Sequence, residues 1–138
     1  MLKRFVWVIL VMFVAACTPE KGIESHFEVL PVESFEVPAE FILGETYEIT
    51  IRFYRPSTCH FFSGIFWQRN QNVRTIGAQS IVERRDDCFF LEPTEENLLV
   101  RTFHFHVTNT HPYIFKFFKG TDDEGNQIFE EIEIPVAD

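Results

Sequence analysis

The residues able to do chemistry in this chain are few: three cysteines, five histidines and one dense acidic run. Cys17 closes an apolar N-terminal run, which leaves Cys59 and Cys88 as a pair. In an oxidising compartment such a pair reads first as a disulfide, with a metal-binding pair or two free thiols as the alternatives. The closed loop would span about 30 residues, worth roughly 3–4 kcal/mol in the chain-entropy treatment. His104 and His106 lie two apart in a strand-like run, so both rings project to one face, about 7 Å apart. With His60 or His111 they form a candidate Zn²⁺ or Cu²⁺ site, set against the plainer reading of two solvated strand residues. Asp122-Asp123-Glu124-Gly125-Asn126 has the composition of a calcium loop. It lacks the alternating ligands and distal bidentate Glu of an EF-hand, so a hairpin turn is the expectation.

Reaction centres are hard to build from what remains. There is no Gly-x-Ser-x-Gly elbow, no His-Glu-x-x-His and no glycine-rich phosphate loop. Glu130 and Glu131 are adjacent and would point to opposite faces of a strand, so they cannot share a substrate. No catalytic residue and no cofactor is assigned, and a non-enzymatic protein is expected. The aromatic cluster Tyr54, Phe61, Phe62, Phe66 and Trp67 flanks Cys59. Alternation along a strand buries only some of these, which makes Tyr54, Phe62 and Trp67 a candidate surface for a protein or glycan partner, with core packing as the alternative.

The N-terminus supplies an address. Lys3 and Arg4 precede a run from Phe5 to Ala16 in which every side chain is apolar, and Cys17 follows. That order is the pattern of a secretory signal, and the run is shorter than the roughly 20 residues of a membrane-spanning helix. Val14-Ala15-Ala16-Cys17 resembles the lipobox of bacterial lipoproteins. The resemblance covers the first 17 residues and implies cleavage before Cys17, with acylation (diacylglyceryl and palmitate) of its thiol. It implies residues 1–16 as signal peptide and nothing about the fold of the rest. The short polar stretch after Cys17, broken by Pro19 and Gly22, makes 17–25 the lipidated Cys and tether, and the strand-like runs make 26–138 the folded domain. Several acyl chains on one residue hold a protein firmly to a membrane. Thr18 stands where Asp would favour inner-membrane retention, so the resemblance implies the outer membrane of a bacterial cell envelope.

Removal of residues 1–16 leaves 122 of the 138 and takes the formal net charge from −9 to −11, because Lys3 and Arg4 go with them. A chain this acidic is a poor partner for nucleic acid, whose phosphates repel it. Of its 17 Phe only Phe5 and Phe13 lie in the signal, so the domain is rich in residues that favour strands and fill cores.

The elements that must position these residues read as strands. His26 to Val37 forms an edge strand interrupted at Pro31. Tyr47 to Tyr54 alternates cleanly, with Tyr47, Ile49, Ile51 and Phe53 toward a core. His60 to Arg69 and Val73 to Glu83 follow, joined by a turn at Asn70-Gln71-Asn72, the second one bent near Gly77. Leu98 to Thr108 alternates again, with Arg101 breaking the apolar face near its edge. Tyr113 to Phe117 and Gln127 to Val136 close the sheet around a polar loop from Gly120 to Asn126. About seven strands and no helix predict a single two-layer antiparallel β-sandwich of immunoglobulin-like type. One departure is visible in advance: Cys59 at a strand start and Cys88 in a loop do not match a disulfide joining two central strands.

Overall fold

Alternation at Thr46–Tyr54 does what its pattern demands: Ile49, Ile51 and Phe53 are buried, and the residues between them are not. A computed structural model describes Cys17 and residues 22–137 of the chain. The expected signal segment 1–16 and Thr18 lie outside the described residues. Ten strands follow in order: β1 (Ser25–Leu30), β2 (Ser34–Glu36), β3 (Phe41–Ile42), β4 (Thr46–Tyr54), β5 (His60–Asn70), β6 (Val73–Glu83), β7 (Leu98–His106), β8 (Tyr113–Thr121), β9 (Gln127–Ile134) and β10 (Val136–Ala137). Among the described residues the one helical element is a 3-10 turn at Glu95–Asn97. No described helix is long and apolar enough to cross a membrane.

The protein is all-β, with two sheets face to face. One contains β1, β5, β6, β8 and β9, the other β2, β4 and β7, and β3 pairs with β10 in a small ribbon. Rings meet across the interface: Phe35 of β2 stacks on Phe117 of β8 at 3.8 Å, and Phe53 of β4 lies 5.4 Å from Phe62 of β5. Ile76, Tyr113, Phe115 and Ile134 from one sheet share a single buried cluster with Ile49, Ile51 and Phe105 from the other. Each large buried side chain removed from water contributes about 1.5–3 kcal/mol, so this layer is the main source of stability.

The larger sheet is mixed, which corrects the expectation of a purely antiparallel sandwich. β8 runs parallel to β6 over Val73–Ile76, and β10 runs parallel to β3. The chain leaves β6, crosses to β7 in the opposite sheet and returns as β8, so β8 arrives in the direction of β6. The same edge of β6 continues with β1, antiparallel, from Ala78 to Glu83. His26 to Val37 is likewise two strands in two sheets, since the chain changes layers between Leu30 and Ser34. A proline at position 31 cannot donate to a ladder and fits that crossing. The polar loop after β8 is shorter than expected, because β8 continues through a bulge to Thr121.

Gly77 sits where the edge of β6 passes from β8 to β1. An added Cβ there would lie 2.5 Å from Val29 Cγ1. Alanine in a strand gains about 0.5–1 kcal/mol over glycine, whereas overpacking costs about 1–3 kcal/mol. Gly77→Ala is therefore expected to be net destabilising in urea denaturation, with Val29→Ala restoring part of the loss. A variant as stable as the parent would show that the handover is loosely packed.

Candidate functional site

The end of the sandwich where β4 finishes and β5 begins is held by a covalent brace. Cys59 and Cys88 form a disulfide with Cα atoms 5.5 Å apart. Cys59 is buried at 1% exposure and Cys88 is on the surface. The segment after Cys88 is zipped onto residues 56–58 by its backbone: Thr58 N donates to Phe89 O, Leu91 N donates to Pro56 O, and Phe89 N donates to Thr58 Oγ1. Arg85 lies at the same corner, pairing with Glu83 and Asp87 at 3.3 and 3.4 Å. This loop is tied down, yet it presents Phe89 and Phe90 at 70% and 75% exposure. Phe90 borders a mostly apolar groove of about 280 Å³ with Tyr54, Leu91 and three prolines, Pro31, Pro56 and Pro93, which Glu33 and Arg55 also line.

Beside it lies a second cleft, of about 340 Å³, lined by Arg55, His60, Phe61, Phe62, Leu99 and Arg101. It opens between β5 and β7, which are edge strands of opposite sheets, each pairing on one side only. The Arg55 guanidinium covers Phe61 at 5.2 Å, and that of Arg101 covers Phe62 at 4.8 Å. Arg101 thus does sit at the edge of the apolar face of β7.

The three expected surface aromatics have different fates. Tyr54 is half-buried and lines the proline groove. Phe62 packs against the core beneath Arg101. Trp67 is 39% exposed, but its ring faces inward onto Phe103, Phe105 and Phe115 at 5.4, 5.9 and 6.3 Å. The three are not brought together into one surface. Phe89 and Phe90 were missed, because Cys88-Phe89-Phe90-Leu91 has no period. Its one signal is an apolar run directly after the charged stretch Arg84-Arg85-Asp86-Asp87.

The histidines separate. His104 and His106 are exposed on one face of β7, and each meets its register partner on β4: Glu48 lies 3.9 Å from His104 Nε2, and Thr46 Oγ1 lies 2.9 Å from His106 Nδ1. His60 belongs to the other sheet, with Ser57 at one ring nitrogen and Glu28 at the other, 2.6 and 3.0 Å away. Among the described residues the one group with three metal-ligand atoms in mutual reach is Cys59, Asp87 and Cys88, and both of its sulfurs are spent on the disulfide.

Asp122 caps the β8–β9 turn. Its Oδ1 accepts from the backbone N–H groups of Asn126 and Glu124 at 2.8 and 2.9 Å. Those bonds, that of Asn126 first, hold its carboxyl below the ordinary aspartate range. A depressed carboxyl contributes fully above the unfolded value and loses its contribution as pH falls through the folded one, so the cap weakens only in acid. Glu130 and Glu131 pair with Lys119 and Lys116 respectively.

Arg74 is buried at 5% exposure and has no carboxylate partner among the described residues. Its Nη1 donates to the carbonyls of Gln71 and Val73, and its guanidinium lies over Tyr113 at 5.2 Å. Burial lowers its pKa, yet a guanidinium stays charged in proteins. The charge closes the β5–β6 turn from inside.

No family model, no curated protein and no solved structure matches this chain. Its function therefore has to be argued from the geometry.

Proposed function

We propose that the chain is a lipid-anchored, non-enzymatic binding module of the bacterial cell envelope, which captures a protein partner with its disulfide-braced end. The observation that carries the reading is the pair Phe89 and Phe90: two large apolar side chains left in water on a segment whose backbone is fixed by a disulfide and three hydrogen bonds. A pinned loop loses little entropy on binding, and aromatic anchors beside a groove are the usual centres of protein contacts. Neither phenyl ring contributes to the core. The lipobox-like Val14-Ala15-Ala16-Cys17 supports attachment through Cys17, and Thr18 supports the outer membrane. The disulfide fits an exported, oxidising address. The immunoglobulin-like version of the sandwich belongs to the same proposal, and it is supported by two packed sheets that share one core.

The test uses the full chain in its host, with in vivo crosslinking from the envelope. Phe89→Ala and Phe90→Ala should abolish a crosslinked protein species while changing stability by no more than about 0.5 kcal/mol, as for surface positions. Cys17→Ser should lose fatty-acid labelling and the same crosslinks. Acyl labelling that persists in Cys17→Ser would refute the anchor. Crosslinks unaffected by either Phe variant, or retained only with glycan, would refute the protein-binding end.

A further inference from the structure

Most described cations of this acidic chain have found carboxylates: Arg52, Arg84, Arg85, Lys116 and Lys119 are each within ion-pair distance of one. Among the described residues Arg55, Arg69, Arg74 and Arg101 have none, and of these Arg55 and Arg101 line the cleft between the free edges of β5 and β7. With acidic residues outnumbering basic ones 21 to 12, leaving two guanidinium groups unpaired on one cleft is an uneven use of charge.

Their orientations are set from below. Arg55 Nε donates to His60 O at 2.7 Å and Nη2 to Thr58 O at 2.9 Å, which lays the guanidinium over Phe61. Arg101 Nη1 donates to Val100 O at 2.8 Å, and its plane covers Phe62. Each group keeps N–H donors with no protein partner among the described residues. A guanidinium stacked on a ring has lost much of its rotamer freedom and can form paired bonds to a carboxylate or phosphate at small entropic cost. Glu33 lines the neighbouring groove with Arg55 without pairing with it, and Glu28 is engaged by His60. No carboxylate lines the cleft itself.

We propose that this cleft is a binding site for a small organic anion carrying a carboxylate or phosphate. Arg55 and Arg101 hold the anionic group, and Leu99 with the exposed part of Phe61 borders the rest of the ligand. A volume of about 340 Å³ is larger than one oxyanion needs and lies within the range of small-ligand sites. The negative field of the whole protein opposes the ligand at long range. Physiological salt screens that field beyond about 8 Å, whereas the two arginines act within contact distance. The site adjoins the Phe90 groove, with Arg55 between the two, and does not depend on the anchor.

The experiment is a heteronuclear NMR titration of the full chain in non-ionic detergent with glucuronate, inorganic phosphate and glucose. Glucuronate, phosphate or both should shift the amides of His60–Phe62 and Leu99–Arg101 saturably, and glucose should not. The stronger of the two anions identifies the charged group. Arg101→Gln and Arg55→Gln should each weaken binding about tenfold, the loss of one charged hydrogen bond. Arg101→Lys should bind more weakly than the parent and more tightly than Arg101→Gln, which separates a placed guanidinium from charge alone. An unchanged melting temperature in each variant shows that the fold is intact, and any variant that unfolds is replaced by its Lys counterpart at the same position. No saturable shift with either anion, equal binding of glucose, or unaltered affinity in folded Arg→Gln variants would overturn the proposal.

Discussion

Phe105→Ala should cost about 3–5 kcal/mol, the range for truncating a buried Phe. The ring stands at the meeting of both sheets and the small ribbon: Tyr113 lies 4.9 Å away, Phe115 5.2 Å, Phe41 5.3 Å and Trp67 5.9 Å. Its neighbours are themselves large and tied to strands, so they cannot collapse into the space. The loss belongs at the upper end for that reason. The Arg74 guanidinium, 5.9 Å from the ring, would also lose part of its aromatic shield. A domain of this size should melt roughly 15 °C lower or more. Trp67 reports the change directly, since Trp7 is the one other tryptophan and lies in the expected signal segment. Its emission should move to the red as water enters between β5 and β7. A loss under 1 kcal/mol with unshifted emission would mean that the inter-sheet layer is not the packed core described above.

Removing the brace should come next in size. Cys59→Ala with Cys88→Ala opens a link of sequence separation 29. The chain-entropy relation assigns about 3–4 kcal/mol to a loop of that length. Cys59 is also buried, so its replacement by Ala adds a small cavity cost to that loss. The consequence for function differs from that of Phe105→Ala. Freed of Cys88, the segment carrying Phe89 and Phe90 keeps only its hydrogen bonds to Thr58 and Pro56, and amide exchange should accelerate there before the rest of the domain. Partner capture should fall even at temperatures where the double variant is fully folded. Equal stability with and without the bridge, measured by urea denaturation of the unreduced and reduced parent, would remove the basis for this prediction.

Much of the fold was legible locally. Tyr47 to Phe53 and Leu99 to Val107 alternate because each strand has one face on the core and one in water, and that constraint acts residue by residue. Cys59 and Cys88 paired by the arithmetic of what was left after Cys17. The turn at Asp122–Asn126 followed from side chains that bond their own backbone.

Other features depend on residues distant in sequence. Nothing local says that β6 will meet β8 in parallel, since strand direction depends on where the chain travels between them. Trp67 faces inward because β5 bulges between Phe62 and Gly64, so Phe62, Ile65 and Trp67 share one face while Phe61 and Phe66 take the other. Unbroken alternation from Phe62 would have put Phe66 inside and Trp67 outside. The cleft of Arg55 and Arg101 is the strongest case. The two residues are 46 positions apart, one just past the end of β4 and the other within β7, and each alone is an ordinary charged residue. Sequence determined the longer strands and the bridge, and it alone carries the expectation of an address at Cys17. Tertiary structure decided which aromatics meet water and which charges meet each other, because exposure and charge pairing are properties of neighbours that only folding brings together.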